Sequence, residues 1–151
     1  MIVDSTGMKQ IEASSGLTVS ELMERAGSFV ADALKEHITP GSRILFLAGK
    51  GNNGGDAFVA ARLLKQDYTC RIILVSGRPS TEAAAENHAK LSRRTFVSVR
   101  HFDEELEAAD AVVDAVFGFG FHGALPANLP RGVLSEDALY NALTAYAHRK
   151  A

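Results

Sequence analysis

Cysteine is nearly missing from this chain, with one residue, Cys70, in 151. A lone thiol excludes an internal disulfide and fits a reducing compartment. Because Cys70 opens an apolar run, it reads as a buried structural thiol rather than a nucleophile. Long hydrophobic runs are missing too. The longest are strand-sized, which excludes a membrane-spanning helix. Neither sign of charge dominates, with 16 basic against 18 acidic residues and a formal net charge of -2. That balance offers no electrostatic footprint for nucleic acid or for an anionic membrane. Residues 1–20 lack the basic flank and apolar segment of a secretory leader. Internal repeats, low-complexity tracts and a linker between halves are also absent. These absences leave a soluble, cytoplasmic, single globular domain over residues 1–151, long enough to bury about 70% of its unfolded surface.

What is present is an alternation of strand-like and helix-like segments. Residues 5–15 suggest a short helix capped by Asp4 or Ser5. A clearer helix is predicted over 19–37, where Thr18 and Glu21 have capping-box spacing. Leu22, Ala26, Phe29, Val30, Ala33 and Leu34 share one of its faces. Pro40–Gly41 makes a turn. Strands then follow at 44–48, 71–75, 96–99 and 111–117, and helices at 56–66, 80–94, 103–109 and 135–149. Strands apolar on both faces and separated by helices predict a parallel sheet between helix layers. Ligands of such α/β sheets bind beyond the carboxyl ends of the strands. The two unusual loops, 49–56 and 118–126, both sit at that edge.

The first loop, "GKGNNGGD", satisfies G-x-G-x-x-G through Gly49, Gly51 and Gly54, between a strand and a helix. That is the dinucleotide fingerprint in its required context. The fingerprint also wants an acid at the end of the next strand, and "VSGRP" has none there, although Arg78 could meet a 2′-phosphate. A P-loop is excluded, because Gly55 and Asp56 stand where Lys and a hydroxyl are needed. In the plainest reading, Asp56 simply caps the following helix, and the glycines and asparagines form a turn.

The second loop follows Asp114, which lies inside the apolar run "AVVDAVF". Burying an unpaired carboxylate costs several kcal/mol or forces it to hold a proton. Either a cation or a set of neighbouring N–H donors would compensate it, and Asn52 and Asn53 offer amide oxygens. Oxygen-only ligation suits a hard cation rather than zinc or copper. Gly118, Gly120 and Gly123 free the backbone to approach a ligand. His122 has no metal-ligand spacing with the other histidines.

Three blocks, "LMERAG" (22–27), "GKGNNGGDAFVAARLL" (49–64) and "VVDAVFGFGFHG" (112–123), together resemble the YjeF N-terminal domain family, the NAD(P)H-hydrate epimerases. The resemblance covers residue 1 to about residue 130. It implies a Rossmann-like three-layer αβα sandwich with a mostly parallel sheet, frequently dimeric. It implies a role in nicotinamide nucleotide repair, interconverting the R and S forms of NADHX and NADPHX for a partner dehydratase. In this reading Asn52, Asn53, Gly54, Gly55 and Asp56 contact the substrate. Gly118, Phe119, Gly120, Phe121, His122, Gly123 and Ala124 wrap the nucleotide. Asn53 and Asp114 ligate a potassium ion.

Two departures accompany the resemblance. Ala57 stands where the family usually has Gly. The family domain also continues into a strand ending V-D-[IV]-P-S-G, which supplies its candidate acid/base and completes its potassium site, and residues 1–151 contain no such segment. An incomplete domain lacking the last strands is therefore expected, with no catalytic residue assignable from the family. Asp56 is the nearby carboxylate that remains. The alternative reading is a non-catalytic nucleotide-binding or scaffold protein of the same fold.

Overall fold

The computed structural model describes residues 2–4 and 16–116, together with positions 141, 144, 145 and 148. At its centre lies β2 (Arg43–Ala48), apolar on both faces because both are covered. Ile44, Phe46 and Ala48 point into one core, and Leu45 and Leu47 into another. β3 (Thr69–Leu74) pairs with one side of β2 and β4 (Ala111–Ala115) with the other, both parallel. A fourth strand, β1 (Ile2–Asp4), pairs parallel with β4, giving the order β1-β4-β2-β3. The sequence offers Asp4 or Ser5 as a helix cap and shows no strand signal at 2–4. Three residues are too few to show a period, and only the long-range ladder to β4 makes them a strand. The helix expected over 5–15 lies outside the described residues.

One sheet face carries α1 (Val19–His37), α2 (Asn52–Leu64) and α3 (Glu82–Ala89), and the other carries α4 (Phe102–Ala108). This is the three-layer α/β arrangement expected from the alternation. α1 opens as the capping spacing predicts, with the Glu21 N–H donating to Thr18 Oγ1 at 3.2 Å. Its buried face is turned from the expected one: Met23, Gly27, Val30, Ala31 and Leu34 are inside with Ala26, while Phe29 is 57% exposed. The cause is Gly27, which has no side chain to hold α1 off Val59 and so draws that side of α1 against α2. The Pro40–Gly41 turn is present, and Gly41 takes a φ of 92°, a left-handed conformation that glycine adopts without strain.

The segment 96–99 is not a strand. Phe96 makes one parallel bridge to Ile72, and short 3₁₀ turns occupy 93–95 and 99–101 on either side. Ser92 and Ser98 start those turns, their hydroxyls accepting from the Arg94 and Arg100 amides and pulling the chain out of extension. α3 is shorter than the predicted 80–94, because Thr81 caps it and the first of these turns follows soon after it ends. Of the helix expected over 135–149, only positions 141, 144, 145 and 148 are described, and all are helical. Among the described residues no helix is long and apolar enough to cross a membrane.

Candidate functional site at the carboxyl edge of the sheet

The tips of β2 and β4 are direct neighbours. Leu47 is in register with Asp114 and Ala48 with Ala115, and the Gly49 N–H donates to the Ala115 carbonyl at 3.1 Å. The first unusual loop and the acidic strand end therefore share one edge of the sheet.

The motif "GNNGGD" is less a loop than the start of a helix. α2 begins at Asn52 with Gly51 as its cap, so the predicted start at Asp56 is four residues late. Asp56 is not the cap: it is the fifth helical residue, 6% exposed. Short side chains explain the early start, since nothing at Asn52 to Gly55 prevents close packing. The first-turn amides of α2 lack intrahelical acceptors and form the positive end of the helix dipole, aimed past the strand tips. Gly54 and Gly55 are not there for unusual backbone angles, because positive φ among the described residues is confined to Gly16, Gly41 and Gly77. They are there for space. A Cβ on Gly54 would lie 2.1 Å from the Gly49 carbonyl oxygen, and one on Gly55 would lie 2.4 Å from the Met23 thioether.

Asp114 is half-buried and shares its sheet face with Val112 and Leu47, opposite the face covered by α2. Its Oδ1 accepts the Val116 N–H at 3.0 Å. Part of the compensation expected for a carboxylate among valines thus comes from its own chain, two residues on. In β1, Asp4 occupies the register position opposite Asp114. The sequence reading did not connect these two acids, because their pairing exists only through the parallel ladder.

Asn53 is half-buried, whereas Asn52 is exposed and its Oδ1 accepts from Thr81 Oγ1 at 2.7 Å. That bond ties the start of α2 to the cap of α3. The loops are stitched again where Lys50 O accepts from the Ser80 amide at 2.7 Å and from its hydroxyl at 3.1 Å. Beside Asn52 a cleft of about 390 Å³ opens between the first turns of α1, α2 and α3, lined by Thr18, Ser20, Thr81, Glu82 and Glu86 among others. Its two glutamates, Glu82 and Glu86, disfavour a phosphate there.

The block "LMERAG" gains a physical meaning from tertiary contacts. Met23 fills the space beside Gly55. Glu24 pairs with Arg62 at 2.5 Å. Gly27 lets the helices close, since a Cβ there would meet the Val59 side chain at 2.3 Å and the Asp56 carbonyl at 2.9 Å. α1 thus grips α2 along the motif helix. Sequence reasoning missed Met23, Gly27 and Thr81 as supports of the site. A small residue spaced four from a large one in α1 was the available signal.

Cys70 is buried, and burial pushes its thiol up to about 12, as a structural role requires. No group of three or more His, Cys, Asp or Glu side chains converges among the described residues, so they hold no transition-metal ligand set. Gly118, Phe119, Gly120, Phe121, His122, Gly123 and Ala124 lie outside the described residues.

Comparison with known proteins places this geometry in a family. The bifunctional NAD(P)H-hydrate repair enzyme Nnr of Archaeoglobus fulgidus is 41% identical over 110 residues, covering 73% of this chain and 23% of that protein. The NAD(P)H-hydrate epimerase of Mycosarcoma maydis is 34% identical over 134 residues, covering 85% of this chain and 50% of that protein. The chain therefore spans half or less of the length of these relatives. The crystal structure of yeast Ynu0 (YNL200c) superposes with a TM-score of 0.73 at 27% identity, covering 98% of this chain and 66% of that one. The family described as YjeF-related protein N-terminus matches residues 19–139, and the chain belongs to that family.

Proposed function

We propose that this chain is an NAD(P)H-hydrate epimerase domain, interconverting the R and S forms of NADHX and NADPHX. The observation that carries the reading is the direct pairing of the β2 and β4 tips, which brings the chain leading into the Asn52–Asp56 helix start and the strand bearing Asp114 to one edge of the sheet. The epimerase name of the Mycosarcoma relative and the repair-enzyme name of the Archaeoglobus relative support it. The bifunctional relative also supports a functional link to a dehydratase that consumes one epimer.

The residues divide the work by their chemistry. The first-turn amides of α2 would hold a phosphate or other anionic part of the substrate at the positive end of the helix. Asn53 and Asp114 would hold a potassium ion, and their chemistry suits it: a half-buried carboxylate and a half-buried amide, both offering hard oxygen ligands. Bound there, the ion would supply positive charge next to an anionic nucleotide. Asp56, buried in the same helix, would be the carboxylate to manage a proton near the substrate. Gly118 to Ala124 would wrap the nucleotide, and two copies of the chain would associate.

The test follows the equilibration of separated R and S NADHX by chromatography, in potassium and in sodium, for the full chain and for Asp114→Ala. Epimerisation that depends on potassium and drops at least about tenfold in the variant is expected, the scale on which removing a ligand or its orienting partner acts. Nucleotide binding without epimerisation would instead favour a non-catalytic binding protein of this fold.

A further inference from the structure

Asn87, in the last turn of α3, is an expensive residue where it sits. It is 5% exposed, and its Oδ1 is buried with no hydrogen-bond partner among the described residues. An orphaned buried carbonyl is a cost that an apolar side chain of the same shape would not carry. Its Nδ2 is fully used. It donates to the Ala83 carbonyl at 3.1 Å, within its own helix, and to the Met23 sulfur of α1 at 3.2 Å.

Met23 is 2% exposed, and its thioether end abuts Gly55, where a Cβ would come within 2.4 Å of both Sδ and Cε. The Cα of Ala84, from α3, closes the same spot at 3.2 Å. Gly55 is thus held between a side chain of α1 and the backbone of α3, and the Asn87–Met23 bond spans those two helices. A methionine is flexible, with three rotatable bonds. Left alone it would be a soft wall, and the amide fixes its sulfur.

We propose that Asn87 and Met23 are positioning residues, whose N–H···S contact sets the depth at which Gly55, and with it Asn53 and Asp56, sits at the carboxyl edge. Neither touches the reacting atoms. The catalytic consequence rests on the epimerase reading above, whereas the structural consequence does not.

The test uses Asn87→Leu, Met23→Leu and the double variant in the full chain. Each single change removes one partner of the bond and leaves an apolar side chain of similar size. Asn87→Leu should leave Tm unchanged or raised, because it deletes the orphaned oxygen. Both singles should lower kcat about tenfold with KM little changed, as expected for a small displacement of a reacting group. The double variant should be no worse than either single. In parallel, the Gly54, Gly55 and Asp56 amide resonances should shift in the same direction in all three variants. Wild-type kcat with unmoved amides would overturn the proposal, as would activity losses that merely track losses in Tm or that multiply in the double variant. Should the wild-type chain show no epimerisation, the functional reading falls, and the amide shifts still decide whether the pair sets the turn.

Discussion

Gly54 shows how a single atom can be forbidden. The 2.1 Å separation between its missing Cβ and the Gly49 carbonyl involves backbone on the partner side, so no side-chain rotation relieves it. Gly54→Ala gains helix propensity worth about 1 kcal/mol. It should nevertheless destabilise the fold by about 3 kcal/mol through overpacking, read as a lower urea midpoint at constant m. His88 makes the second prediction at this scale. Its ring lies 4.3 Å from that of Phe96 and edge-on to Phe58 at 5.6 Å. Burial first, and then the Arg78 charge, lowers its pKa. The folded chain therefore binds fewer protons than the unfolded chain, whose histidine titrates near about 6.5. Stability should be at its full value above that pH and decline as pH falls toward the lowered folded value. Urea titrations at stepped pH should show the slope in the wild type and a flatter profile in His88→Phe.

Among the elements, the pairing of α1 with α2 carries most of what the sequence blocks mean. The capping residues of α1 were legible, since Thr18 and Glu21 are local and their bond closes within one turn. Its buried face was legible only in half, at Ala26, Val30 and Leu34. Leu22, Phe29 and Ala33 fit the helical period as well as Met23, Gly27 and Ala31 do, and hydrophobicity favoured Phe29. Close approach at Gly27 decided between them, because the helix turns to bring its smallest residue to the contact. Gly27→Ala should push the helices apart and cost about 1–3 kcal/mol. Hydrogen exchange should locate the loss in α1 and the first turns of α2, leaving β2 and β3 protected. Removing the Glu24–Arg62 pair should matter less, at most about 1 kcal/mol, since Glu24 is nearly half exposed.

For the whole molecule, the parallel ladder is what makes a site out of separated segments. Residues 52–56 and 114 are far apart in the chain, and β4 slots between β1 and β2 to bring them to one edge. If that edge holds potassium, binding to the folded chain alone adds RT ln(1 + [K⁺]/Kd) to its stability. Tm should then rise with potassium at constant ionic strength adjusted with sodium, and Asn53→Ala and Asp114→Ala should abolish the rise. Equal melting curves in the two salts would remove the ion from the account and leave the nucleotide surface standing.

By itself the sequence determined the α/β alternation, the positions of β2, β3 and β4, and the acidic and Gly-Asn-rich segments at their carboxyl ends. Each of these is a local matter of hydrophobic period, turn chemistry or a charge placed among apolar residues. It also pointed to the family through three short blocks, without saying why "LMERAG" should accompany "GNNGGD". Tertiary structure decided that question, along with the strand at 2–4, the bridge in place of a strand at 96–99, and the helix that begins at Asn52. All four depend on what a segment meets rather than on what it contains. A missing Cβ becomes informative only when the atom that would collide with it is in view.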